Sequence, residues 1–269
     1  MSLVGQSQRD ITRLAADGSR NELADQLVME EPLEIRLNES PIAVVMRTPG
    51  DDIALSLGFL FSEGILNDPD QVLSVQHCQE VTDDARGNVV QVRAAGADHE
   101  AADKARRQVY ASSSCGLCGK TTLDSVRLLA PPMEAPPPIR ASTLAALPEL
   151  LRANQALFDS TGGLHAAGLF TYDGDVRLVR EDIGRHNACD KVIGTYVMRE
   201  QWPLTGHILS LSGRASFEMI QKAAMAGIGV VAAVSAPSTL AVDLAKESQM
   251  TLVGFVRDGS MNVYSGRVS

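Results

Sequence analysis

Positive charge is scarce in this 269-residue sequence: 24 lysines and arginines stand against 33 aspartates and glutamates, a formal net charge of −9. An acidic chain repels phosphate backbones and anionic bilayers, which argues against nucleic acid or a membrane as a bulk partner while leaving room for a local basic pocket. Long apolar runs are missing as well. Met1 to Ala16 contains no signal-type apolar stretch, and no segment has the roughly 20 apolar residues that span a bilayer. The longest runs, such as Ile228 to Val234, have the length of a buried strand. A cytoplasmic protein is expected. Cysteine is sparse: Cys78, Cys115, Cys118 and Cys189 are too few for a disulfide scaffold. In a reducing compartment, the close Cys115/Cys118 pair points to redox, metal or persulfide chemistry. There is no internal repeat.

What is present suits a packed protein, with 45% apolar and 21% charged residues. Residues 1–25 are polar without a clean period, so a flexible tail is expected there. Leu33, Ile35 and Leu37 alternate with charged residues as in a strand, and Ile42 to Arg47 reads as its returning partner. Asp51 or Asp52 can cap a helix carrying Ile53, Leu57, Leu60 and Phe61, with Gly64 to end it. Val72 to Val81 and Val89 to Ala94 read as strands around a turn at Asp83 to Asn88. Tyr110 to Lys120 is rich in Ser, Gly and Cys and reads as a loop. Five prolines between Ala130 and Pro138 mark a boundary, because proline continues neither a helix nor a central strand. A strand-rich unit over residues 26–130, ending in the Cys115/Cys118 loop, is therefore expected to precede an α/β domain over 131–269. In that second part, Ser142 to Phe158 is a helix with a weak point at Pro148. Strands at Leu164 to Tyr172 and Val176 to Glu181 flank the hairpin signal Asp173-Gly174. His186 to Glu200, Phe217 to Ala226 and Ser238 to Ser248 are helices that alternate with strands at Ile208 to Ser212, Gly229 to Ser235 and Thr251 to Val256. Met261 to Tyr264 returns after Asp258-Gly259. This alternation predicts a sheet with a parallel segment and helices on its faces.

Four stretches carry residues fit for chemistry. In Ser112 to Lys120, two thiols three apart can reach a common atom or each other. Gly116 and Gly119 let backbone N–H groups turn toward a sulfur anion, and Lys120 favours a thiolate. The spacing equally fits half of a structural zinc site completed by His165, His186 or Cys78, or a thioredoxin-type redox pair. His165 sits among glycines in Thr161 to Gly168, a setting for close ligand approach or for a core histidine. Arg180 to Asn187 is polar at a strand-to-helix junction, where open α/β sheets bind ligands; a solvated loop capped by Asp182 would read the same way. Arg214 lies in Leu211 to Ser216, another strand–turn–helix whose N–H groups favour anions. Together with Phe255 to Ser260, these turns suggest one composite pocket for a large, phosphate-bearing ligand. Cys189 shares a helical face with Val192, Ile193 and Tyr196 and reads as core.

These blocks, in this order, resemble the FdhD family, the accessory sulfurtransferases of formate dehydrogenase. The resemblance runs from the first hairpin to the end of the chain. It implies a sulfur carrier that accepts persulfide sulfur from a cysteine desulfurase and passes it to the molybdenum of a bis(molybdopterin guanine dinucleotide) cofactor, Mo-bis-MGD, before that cofactor enters formate dehydrogenase. The cofactor is a bound substrate, and neither a permanent cofactor nor a resident metal is implied. The persulfide would sit on Cys115, with Cys118 as alternative or helper. The family's cofactor-binding stretch falls on Phe255, Val256, Arg257, Asp258, Gly259 and Ser260. The resemblance also implies a cytidine deaminase-like C-terminal domain and a homodimer. Deaminase chemistry itself needs a glutamate two residues after the histidine and a downstream cysteine pair; here Ala167 follows His165 at that spacing and the pair lies upstream. The competing class is a non-catalytic, zinc-stapled chaperone that binds and inserts the same cofactor.

Overall fold

The computed structural model describes residues 4–111, 130 and 132–269 of the chain. Cys115 and Cys118, with Lys120 and the glycines beside them, lie outside the described residues.

The chain opens with a hairpin of two nine-residue strands, β1 (Gln6–Leu14) and β2 (Arg20–Val28), paired in register from Gln6↔Val28 to Leu14↔Arg20. This replaces the expected flexible tail. The hairpin has no apolar face and is held at its base, where Val28 abuts Gly163 and Ser160 bonds to Gln6. Next come β3 (Glu31–Leu37), β4 (Ser40–Arg47), helix α1 (Asp52–Ser62), β5 (Val72–His77), β6 (Val89–Ala94) and helix α2 (His99–Ala111). The four strands form a sheet ordered β4-β3-β6-β5. Alternation along β3 buries Leu33, Ile35 and Leu37 on one face. Helix α2 buries Ala101, Ala102 and Ala105 and extends through Tyr110, into the stretch expected to be a loop.

After residues 132–138, which form neither helix nor strand, helix α3 (Ala141–Arg152) runs straight through Pro148. The expected single helix breaks instead at Ala153–Gln155, and α4 (Ala156–Thr161) follows. Strands β7 (His165–Thr171), β8 (Val176–Asp182), β9 (His207–Leu211), β10 (Val230–Ala233), β11 (Thr251–Arg257) and β12 (Ser260–Ser265) make a six-stranded sheet, ordered β12-β11-β10-β9-β7-β8. Its centre, β9-β10-β11, is parallel. Helices α5 (Arg185–Val197), α6 (Phe217–Met225) and α7 (Thr239–Glu247) supply the crossovers. Ile208, Val230, Ala232 and Val253 face α3, whereas Leu209, Leu211, Val231 and Leu252 join the larger core on the other side. Burial on both faces explains why these strands read as unbroken apolar runs.

Helices α1 and α5 meet between the two sheets, and glycine sets their separation. A Cβ on Gly58 would overlap the Asp190 carbonyl, and one on Gly194 would overlap the Ala54 carbonyl. Buried ion pairs flank this crossing. Arg47 forms a two-pronged bond with Asp52 at 2.9 and 3.0 Å and donates to Asn88, so Asp52 anchors a strand while Asp51, the N-cap, makes no capping bond. Lys222 Nζ donates to Asp190, Glu63 and Ser62 at 2.8–3.0 Å. Burial disfavours its ammonium, but Asp190 and Glu63 outweigh that and hold its pKa above the ordinary lysine value. Cys189 is fully buried, and burial pushes its thiol far up, so it is inert packing.

Gly58→Ala or Gly194→Ala should cost about 3 kcal/mol, at the upper end for overpacking because backbone rather than a side chain must yield. Urea midpoints should fall accordingly, and Ala54→Gly beside Gly194 should shift far less.

Candidate functional site

Strand direction brings the predicted residues to one end of the six-stranded sheet. The parallel strands β9, β10 and β11 finish there, antiparallel β7 begins there, and β8 returns there. His165 opens β7, Arg185 opens α5, Arg214 lies in the β9–α6 turn, and Phe255 to Ser260 closes β11 and turns into β12. With strands about 4.8 Å apart, roughly 14 Å separates β7 from β11, so the site is an extended rim rather than a compact pit.

His165 is half-buried at the rim, with its Nδ1 within 3.4 Å of where a Gly213 Cβ would stand. A glycine there leaves the imidazole room. Burial first, and then the charges of Arg185, His186 and Arg214, lower the His165 pKa below its ordinary 6.5. The ring is therefore neutral at neutral pH inside a cationic surround. Among the described residues, the buried Arg185 Nε and Ser216 Oγ at this end have no hydrogen-bond partner. Ser216 is the N-cap of α6, yet its side chain caps nothing. Such groups beside two helix N-termini and Arg214 have the chemistry to receive an anion.

The β8–α5 junction is rigid. Asp182 is fully buried and accepts from Gly184 N at 2.8 Å, Asn187 Nδ2 at 2.9 Å, Lys191 Nζ at 2.8 Å and Thr48 N at 3.1 Å. Lys191 also donates to Thr48 O, and Asn187 to Met46 O. A solvated, capped loop is thus excluded: Asp182 is a buried peg that ties the β4–α1 turn to the β8–α5 junction, and it fixes the helix start that carries Arg185. The sequence did not reveal one pairing here. His186 Nε2 lies 3.0 Å from Glu218 Oε2, joining the first turns of α5 and α6; residues 32 apart in the chain offer no local pattern to find it.

Phe255 is the strained position of the rim. Its φ of 52° lies in the left-handed region, which bulky residues avoid. That twist shifts the register between Gly254 and Arg257 and leaves Val253 and Val256 on the same face despite their odd spacing. Arg257 stacks over the Phe255 ring at 5.7 Å. Asp258 and Gly259, at φ 50° and 71°, form the exposed hairpin turn, and Ser260 Oγ donates to Arg257 O. Val256 is buried in the core beneath α3, so its side chain offers nothing to a ligand. Among the described residues, no three His, Cys, Asp or Glu side chains converge as a metal site, and no helix is long and apolar enough to cross a membrane.

The architecture defines a mixed α/β protein of three sheets, the largest of which presents a cationic strand-end rim. Residues 28–269 match the family model described as the FdhD/NarQ family, and the chain belongs to that family. It is 53% identical over 264 residues to a Streptomyces avermitilis protein named sulfur carrier protein FdhD, an alignment covering 96% of this chain and 93% of that one. Proteins of the same name from Mycolicibacterium paratuberculosis and Anaeromyxobacter dehalogenans are 49% and 45% identical, over 96% and 90% of this chain and 96% and 87% of theirs. A crystal structure of a protein described as a formate dehydrogenase accessory protein, from Desulfotalea psychrophila, superposes with a TM-score of 0.74 over 97% of both chains at 23% identity, which shows a shared fold.

In an NMR titration, the His165 imidazole should show a midpoint below 6.5, and Arg214→Gln should move it upward. The folded state binds a proton at His165 less readily than the unfolded chain does. Its contribution to stability is therefore intact above pH 6.5 and is lost as pH falls through the folded midpoint. An unfolding series from pH 7.5 to 5 should show that loss, and His165→Gln should flatten it.

Proposed function

We propose that the chain is a sulfur carrier in formate dehydrogenase maturation. It takes persulfide sulfur from a cysteine desulfurase on Cys115 and hands it to the molybdenum of Mo-bis-MGD held along the strand-end rim. The observation that carries this reading is the identity of 45–53%, over nearly the whole chain, to proteins named as sulfur carriers, in a sequence that has two thiols three apart among serines and glycines.

In the first step, the Cys115 thiolate attacks the outer sulfur of the donor's persulfide. A new S–S bond forms on Cys115, the donor's S–S bond breaks, and the donor cysteine leaves as thiolate without net oxidation. Cys118 is the nearby second thiol that can take over or assist. The cargo is large and anionic, and the rim suits it. Arg185, Arg214 and the helix N-termini of α5 and α6 would face its diphosphates. The Phe255 ring and the Arg257 to Ser260 turn would meet a guanine end, and neutral His165 can donate or accept one hydrogen bond without adding charge. The work belongs in the cytoplasm, where a persulfide and reduced thiols coexist, and the carrier acts as a homodimer that docks in turn with desulfurase and formate dehydrogenase.

Intact-mass spectrometry without reductant should show a gain of one sulfur atom after incubation with cysteine desulfurase and L-cysteine. The gain should reverse with thiol and be absent in Cys115→Ala. Formate dehydrogenase activity should be lost in a strain carrying that variant. Stoichiometric zinc held by Cys115 and Cys118, with no sulfur gained, would instead make the protein a zinc-stapled chaperone for the cofactor. For the rim, Arg185→Gln and Arg214→Gln should each weaken GDP binding by about tenfold, the loss of one charge-assisted contact, as read by calorimetry.

A further inference from the structure

At the end of the large sheet opposite the rim lies a cavity of about 830 Å³ that the proposed function leaves unused. It opens where β9 and β10 begin, beside Gly206 and Gly229, and is walled by Phe61, Trp202, Met225 and Met133 with the prolines of the interdomain segment. Phe61 and Trp202 meet edge to face at 5.0 Å, and Trp202 Nε1 donates to Asn67 O, so the aromatic wall is fixed. Among the described residues, the charged ones lining it are Asp68 and Glu134, with no lysine, arginine or histidine. A rigid apolar receptacle of this volume with an acidic lip fits a protruding apolar side chain flanked by basic residues.

We propose that this cavity is the docking site for the sulfur-donating protein, which inserts an apolar side chain between Trp202 and Met225 and sets basic residues against Asp68 and Glu134. The assignment rests on the sulfur-carrier reading of Cys115. Two further observations support this occupant. The segment bearing Cys115 and Cys118 re-enters the described chain at Ala130, immediately before the cavity wall at Pro132 and Met133. Twelve residues from Cys118 to Ala130 span at most about 40 Å, so a donor seated in the cavity has the acceptor thiols within reach. The rim also stays free, so donor and cargo can be bound together. The carboxylates Asp68 and Glu134 at the lip would attract a basic donor surface to this end.

The test compares two sulfur sources. Loading from the desulfurase requires docking. Loading from inorganic polysulfide does not, because the Cys115 thiolate attacks a sulfane sulfur and a polysulfide one sulfur shorter leaves. Met225→Glu places a charge in the cavity, and Glu134→Lys reverses a charge on its exposed lip. Trp202 is the sole tryptophan, so its emission reports whether each variant keeps the aromatic wall. Each variant should load at least tenfold more slowly from subsaturating desulfurase, at an unchanged rate from polysulfide, and the wild-type desulfurase rate should fall with added salt. Wild-type rates from the desulfurase in both variants would overturn the assignment, as would equal slowing from both sources. If Cys115 of the wild type accepts sulfur from neither source, the sulfur-carrier reading itself fails.

Discussion

Everything in this fold is referred to the crossing of α1 and α5, where two glycines let backbone lie on backbone. Gly58 and Gly194 bring the helices closer than any side chain would allow, and that distance determines which polar groups can meet around them. Asp182 reaches Thr48, Lys191 reaches the Thr48 carbonyl, and Lys222 reaches Glu63 and Ser62 only because the helices are so near. Buried charges of this kind are costly unless every one is met. Here Asp182, Lys191, Asp190 and Lys222 each add a contact from the first half of the chain to their pairing within the second, so the close crossing permits these contacts, and they penalise any widening of it.

The rim inherits its order from that crossing. Asp182 is shared between the helix start and the β4 end, so the backbone that presents Arg185 and His186 is braced from the four-stranded sheet. The cationic end can thus stay open, with Arg185 Nε and Ser216 Oγ lacking partners among the described residues, because it does not have to hold itself together. Phe255 carries its unfavourable φ on a strand pinned by β10 on one side and β12 on the other.

Much of the second half could be read directly from the residues. Asp173-Gly174 and Asp258-Gly259 sit at the turns their chemistry demands, and short apolar runs separated by small-residue turns became the parallel strands. The first hairpin could not be read, because Gln6–Leu14 and Arg20–Val28 are polar on both faces and give no period. Helix α2 was missed because its buried stripe is alanine, which carries little apolar signal. In the site, His165, Arg185 and Arg214 could be named from glycine context and strand–turn–helix junctions. The buried roles of Asp182 and Lys191, and the His186–Glu218 pair, depend on partners 32 to 143 positions away, and no local pattern encodes those.

The span of these contacts bears on how the protein is made. Thr48 and Asp182 are 134 residues apart, so the peg cannot be seated until most of the chain has been synthesised and both sheets have formed. Such non-local closure comes late in folding. A nascent or half-folded chain would lack an ordered rim. Any ligand that binds the rim would select the completely folded molecule and stabilise it as a whole.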